Sequence, residues 1–183
     1  MSQDRLYSLI KLHEGERLTA YLCTAGAVTI GVGHNLEAKP WYVDAAGNKI
    51  PVDPAVIALN KQALENKSSG GGDEGFLYFA ISQHESEKTF QEDIRQTTAD
   101  VQTKIRFAQQ LDEVRKMVIL DMCFNMGIAR LLKFKKMLGH LEQMDFDGAA
   151  DEMINSEWYG QVGTRAERLV KMMRTGNWPP DVP

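Results

Sequence analysis

The chain has 183 residues, 43% of them hydrophobic and 25% charged, with a formal net charge of −4. These figures fit one globular domain, or one domain pinched into two lobes, and exclude a disordered tail or a disulfide-stapled miniprotein. The negative balance argues against a nucleic-acid partner, whose affinity comes mostly from neutralising phosphates. The charge is uneven, however: −5 over residues 1–114 and +1 over residues 115–183. The concentrated basic stretches, Arg130 to Lys136 and Arg165 to Arg174, read either as solvated helix faces or as a cationic surface facing an acidic polymer.

Leu6, Leu9, Ile10 and His13 recur at three- and four-residue steps, which predicts a short amphipathic helix over residues 4–13, ended by Gly15. No apolar stretch follows Met1 that would serve as a leader or membrane anchor. The period then changes. Leu18–Leu22 and Val28–Val32 are rich in β-branched and aromatic residues, with Cys23–Ala27 between them as a turn, so the stretch reads as a hairpin. Gly31 and Gly33 within a strand mark close approach to the backbone.

Residues 37–53, with Pro40, Gly47, Asn48 and Pro51, read as loop, and Asp53-Pro54 opens a helix over about 54–66. Ser68-Ser69-Gly70-Gly71-Gly72-Asp73-Glu74-Gly75 reads as an exposed loop. Ser82-Gln83-His84-Glu85 matches a capping box and starts a long helix to about residue 107, free of Pro and Gly. From 111 to 176 the pattern is helical, with four or five helices broken at Gly127, Gly139, Gly148, Gly160–Gly163 and Gly176 and the apolar stretch Leu111–Met126 at their centre.

The fold class is therefore α+β. A helix-plus-hairpin lobe (1–81) is followed by a connecting helix (82–107) and a helical lobe (108–183), and a cleft between lobes is a usual place for a substrate.

Two cysteines, Cys23 and Cys123, are too few for a disulfide framework and suit a reducing cytoplasm. Cys123 lies in an apolar run and reads as a small buried hydrophobe. His13, His34, His84 and His140 lack metal-ligand spacing, and neither a P-loop, a GxGxxG nor a serine nucleophile elbow is present. Glu14 is the first candidate for chemistry. A carboxyl at a helix C-terminus meets the negative end of the helix dipole, which favours the protonated form that a general acid needs. Taken alone it reads as a surface residue. The hairpin turn brings Cys23 and Thr29 close together, although each alone reads as turn filler or strand propensity.

The stretch Leu12 to His34, with Glu14, Cys23 and Thr29 at family spacing and the run Thr29-Ile30-Gly31-Val32-Gly33-His34, closely resembles the catalytic segment of tailed-phage lysozymes, glycoside hydrolase family twenty-four. Leu111–Arg115, Asn125-Met126-Gly127, Ser156–Tyr159, Thr164–Arg168 and Arg174–Trp178 extend the resemblance over nearly the whole chain; residues 37–80 match least. The resemblance implies a lysozyme-like fold and a cofactor-free monomer. Its substrate would be peptidoglycan, cut at the β-1,4 bond between N-acetylmuramic acid and N-acetylglucosamine. It also implies synthesis in an infected host, release late in infection and action on periplasmic peptidoglycan.

By resemblance Glu14 is the general acid, and Cys23 and Thr29 hold the attacking water. Gly31, Phe124 and Arg165 lie on the substrate side, with Arg165 reaching the catalytic Glu, where a cation opposes the helix-end effect. The ordinary readings of Phe124 and Arg165 are core and helix surface. His34 pairs with Asp93 and braces the hairpin from behind. Trp158 and Tyr159 read as core.

Many family members carry Asp where this chain has Cys23. Three roles stay open: a thiolate nucleophile or base, a water-positioning group, or none, with a sugar hydroxyl attacking to give a lytic transglycosylase outcome. Hydrolysis is the favoured expectation. A catalytically inactive wall-binding domain is the reading from another class.

Overall fold

The computed structural model describes residues 2–72 and 76–180, so Asp73, Glu74 and Gly75 of the expected glycine loop lie outside the described residues. Two compact units result: Met1–His13 with Ile94–Pro183, and Glu14–Asp93. These bounds differ from the expected lobes. The first helix groups with the C-terminal helices, and the second division falls inside the long helix rather than beside it.

The Glu14–Asp93 unit is built on a three-stranded antiparallel sheet, β1 (Arg17–Leu22), β2 (Val28–Gly31) and β3 (His34–Asn35), in the order β1-β2-β3. The β1–β2 connection is a tight turn. Gly26 N–H donates to Cys23 C=O at 2.8 Å, and Gly26 takes φ +76°. A glycine in the left-handed region is what a three-residue hairpin loop requires. The free edge of β1 is covered by residues 79–81: Ala20 N–H donates to Phe79 C=O, and Ile81 N–H to Leu18 C=O.

One face of the sheet is apolar. Ala20, Val28, Ile30 and Leu36 pack with Val52, Ile57 and Ile81 into a buried cluster. Ile57 comes from α2 (Pro54–Ser68), which Asp53 caps by accepting from Ala55 N–H at 2.8 Å, with Pro54 at the first helical position as expected.

The segment expected to be loop holds a second hairpin, β4 (Trp41–Val43) and β5 (Lys49–Pro51). The two prolines are tolerated because they flank or end the strands, and Gly47, at φ +91°, serves the turn.

α3 runs Gln83–Lys104. Its capping box is present: Ser82 N–H and Oγ both approach Glu85 Oε2 at 2.7 Å, and Glu85 N–H returns to Ser82 Oγ at 3.2 Å. It stops short of the expected residue 107. Ile105 leaves helical geometry (φ −124°, ψ 67°), and a 3-10 turn over Arg106–Gln110 buries Ala108.

In the other unit, α1 spans Ser2–Glu14 as far as its last residue, buries Leu6, Leu9 and Ile10, and is followed by six helices among the described residues rather than four or five. They are α4 (Glu113–Met126), α5 (Ile128–Leu131), α6 (Lys135–Glu142), α7 (Phe146–Ile154), α8 (Glu157–Val162) and α9 (Thr164–Thr175). α4 is central, with Val118, Ile119 and Met122 fully buried. Gly127, Gly163 and Gly176 end or separate helices with positive φ. Gly139, Gly148 and Gly160 instead lie within α6, α7 and α8. A Cβ at Gly148 would collide with Asp145 and His140, so this glycine serves close packing and not a break. Trp158 and Cys123 are buried as expected, while Tyr159 is half-buried.

Candidate active site

Glu14 is the last residue of α1 and is half-buried. Its carboxyl lies against the backbone of Gly33. A Cβ placed on Gly33 would sit 3.1 Å from Glu14 Oε2 and 3.2 Å from its Cδ, and Gly33 holds φ +68°. Two independent constraints, a left-handed backbone and a neighbouring carboxyl, therefore select glycine here.

The polar face of the β-sheet carries the other candidates. Tyr21 pairs directly with Thr29 across β1 and β2, so their side chains share one face, while Leu22 and Val28 point to the core. Cys23 continues the alternation on the Tyr21 side. It is a half-buried free thiol, and its backbone N–H donates to Ala27 C=O at 3.0 Å. Thr29 is 2% exposed and donates its hydroxyl proton to Ala27 C=O at 3.0 Å. Its oxygen is thereby left to act as an acceptor.

Tyr21 was not singled out by sequence reasoning. Its ring lies under the Arg17 guanidinium, 4.8 Å from the centroid. Burial pushes its phenol above the usual range, the Glu14 carboxylate and Cys23 push the same way, and the Arg17 guanidinium pulls back. The signal available in the sequence was its two-residue spacing from Cys23.

Gly31, at φ +60°, has Ser86 Oγ of α3 where a Cβ would go, at 2.9 Å. Ser86 in turn donates to Glu16 Oε1 at 2.7 Å. Packing against α3 thus accounts for this glycine. His34 Nδ1 meets Asp93 Oδ2 at 2.7 Å, and its Nε2 donates to Trp41 C=O at 2.6 Å and faces Lys39 C=O at 3.1 Å. Lys39 Nζ completes Asp93 at 2.7 Å. Both His34 and Asp93 are 1% exposed, and together they tie β3 and the β4 strand to α3.

Phe124 and Arg165 lie in the other unit, on α4 and α9, with Phe124 half-buried. Arg165 is 7% exposed, unlike the helix-surface arginine of the ordinary reading. Its Nε donates to Asp121 Oδ1 at 2.8 Å. Asp121 is fully buried and also meets His13 Nδ1 at 2.9 Å. Arg168 donates to His13 Nε2 at 2.9 Å, so the ring proton sits on Nδ1 and is donated to Asp121. Asp121 was also missed. Its signal was a lone acid inside the apolar run Met117–Phe124.

A family model described as phage lysozyme matches residues 11–174. The chain belongs to the phage lysozyme family. Probable T4-type lysozyme 1 of Dictyostelium discoideum is 30% identical over 171 residues, covering 92% of each chain. Probable T4-type lysozyme 2 of the same organism is 29% identical over 174 residues, covering 93% of this chain and 94% of its own. The pre-baseplate central spike protein Gp5 of Enterobacteria phage T4 is 28% identical over 172 residues, which cover 92% of this chain and 27% of the spike protein. The chain is accordingly a lysozyme-type glycosidase with peptidoglycan as its substrate class.

Among the described residues of this lysozyme, no group of His, Cys, Asp and Glu is arranged to hold a metal ion, and no helix is long and apolar enough to cross a membrane. What the sheet face offers chemically is a carboxyl, a phenol, a thiol and an oriented hydroxyl, all within the Glu14–Asp93 unit.

Proposed function

We propose that this lysozyme hydrolyses the β-1,4 bond between N-acetylmuramic acid and N-acetylglucosamine, with Glu14 as general acid. The observation that supports this most is the seating of the Glu14 carboxyl on Gly33, where an added Cβ would come within 3.1 Å of Oε2 and press on the carboxyl. Glu14 gives its proton to the glycosidic oxygen, the bond from that oxygen to the anomeric carbon breaks, and positive charge develops at the anomeric carbon. A water molecule then adds there.

Thr29 is suited to orient that water. Its own proton is committed to Ala27, so its oxygen accepts one water hydrogen and turns a water lone pair outward. Cys23 shares the task from the adjacent end of the hairpin, and the water's surplus proton passes to solvent. Phe124 and Arg165 are assigned glycan contacts on the resemblance. On the same ground the enzyme acts as a monomer on periplasmic glycan strands, after synthesis in a host cell, and lyses that host.

Mass analysis of the products from purified murein tests the reaction. Hydrolysis yields reducing-end sugars. A 1,6-anhydro end would assign the transglycosylase outcome, and intact murein would leave a wall-binding domain.

A further inference from the structure

A cavity of about 350 Å³ lies between β1, the end of α2 and Tyr78, all within the Glu14–Asp93 unit. Among the described residues, the charged groups that line it are Arg17 and Lys67, both cations. This runs against the trend of the unit, where residues 14–93 hold 6 Lys and Arg against 12 Asp and Glu. Each cation lies over an aromatic ring of the same cavity. The Arg17 guanidinium is 4.8 Å from the Tyr21 centroid, and Lys67 Nζ is 5.7 Å from that of Tyr78. Stacking of this kind orients a cation without cancelling its charge. Arg17 is exposed and makes no ion pair among the described residues. Thr19, also exposed, adds a hydroxyl donor to the lining. A guanidinium fork, an ammonium and a hydroxyl around one small cavity form a donor set suited to a carboxylate.

We propose that this cavity is an accessory subsite that binds a carboxylate of peptidoglycan beside the catalytic hairpin. The inference deepens the proposed function and rests on its reading of peptidoglycan strands as the substrate. The carboxylates of that polymer lie on the peptides attached to N-acetylmuramic acid and, where a peptide has been removed, on the lactyl ether of the sugar. Arg17 takes the carboxylate through paired N–H groups, Lys67 supplies a point charge, and Thr19 adds a further hydrogen bond. The cavity shares Tyr21 with the sheet face that presents Thr29, so a carboxylate held here fixes the strand alongside that face. The subsite does not touch the bond that breaks. Its contribution is the same before and during the reaction, so it acts on KM and not on kcat.

The test measures binding by calorimetry to Glu14→Gln, with and without Arg17→Gln and Lys67→Gln together. Both replaced side chains are exposed and lie outside the apolar cluster, so the variants fold. Three probes are used: a tetrasaccharide of alternating N-acetylglucosamine and N-acetylmuramic acid carrying its peptides, the same tetrasaccharide stripped of them, and the neutral tetramer of N-acetylglucosamine. The double replacement should weaken binding of a carboxylate-bearing probe about tenfold at low salt, less at high salt, and leave the neutral tetramer unchanged. A loss confined to the peptide-bearing probe places the carboxylate on the peptide, and a loss confined to the stripped probe places it on the sugar. Unchanged binding of all three probes, or an equal loss for the neutral tetramer, would overturn the inference. In the otherwise wild-type enzyme the same pair should raise KM on murein and keep kcat. Murein left intact by wild type would overturn the proposed hydrolysis, while the binding comparison still decides the subsite.

Discussion

Replacing Gly33 by alanine separates the backbone role of that residue from its role beneath Glu14. Its φ of +68° is a conformation that costs an L-residue about 1–2 kcal/mol. For a chain of this size each kcal/mol lowers the melting temperature by about 2–4 °C, so Gly33→Ala should melt roughly 2–8 °C below wild type. The added methyl would also stand 3.1, 3.2 and 3.3 Å from Oε2, Cδ and Cγ of Glu14. These atoms end a flexible side chain, so they yield by a few tenths of an ångström at little further expense in stability. Catalysis is less forgiving, because displacement of a reacting group by about 1 Å can cost a hundredfold in rate; the smaller shift here should cost about tenfold in kcat.

Gly47 is the control. It has φ +91° with nothing within 4 Å of an added Cβ, so Gly47→Ala carries the backbone penalty alone. Melting by circular dichroism and turnover of murein per folded molecule would be measured on both variants. If Gly33→Ala and Gly47→Ala lose similar stability and both keep full turnover, the seating of Glu14 on Gly33 has no bearing on the chemistry.

Three further predictions concern other groups. Asp121→Ala strands the buried Arg165 without its carboxylate and should lower unfolding free energy in denaturant by about 3–5 kcal/mol; a loss below about 1 kcal/mol would refute the pairing as a determinant of stability. At Asp112, burial raises the carboxyl's pKa, but hydrogen bonds and charge from Arg115 outweigh it and leave the group below its ordinary value. A depressed carboxylate stabilises the fold above its unfolded pKa of about 3.9 and loses that effect as pH falls through the lower folded value. The stability difference between wild type and Asp112→Ala should therefore be constant above about pH 5 and shrink under strong acid, as followed by denaturant titration across pH. Cys23→Ser should keep its murein-cleaving rate within about threefold, since a hydroxyl still holds water, whereas a hundredfold loss would assign the thiolate a direct role.

The legible parts of the fold were those whose chemistry is local. Asp53-Pro54 and Ser82–Glu85 announce helix starts because each cap satisfies its own first turn. Glycines divide by a criterion that sequence does not show. Gly127, Gly163 and Gly176 carry positive φ and end helices, but Gly148 is glycine because His140 and Asp145 crowd it within α7. The β4–β5 hairpin was hidden by Pro40 and Pro51, residues that oppose a central strand and are harmless at a strand end.

At the candidate site, Glu14, Cys23 and Thr29 stood out as a set through their resemblance to the family segment, since each alone reads as surface, turn filler or strand propensity; the structure sets them at a helix end and along a hairpin. Asp121 gains meaning only once partners 108 and 44 residues away arrive. Long-range partners of this kind leave no periodic trace.

The claim on which the rest depends is that Glu14 supplies the proton. Glu14→Gln preserves the shape of the side chain and removes only its acidity. Clearing of outer-membrane-permeabilised cells by equal amounts of folded wild type and Glu14→Gln is the direct comparison: wild type should clear the suspension and Glu14→Gln should not. Clearing at a wild-type rate by Glu14→Gln would contradict the account.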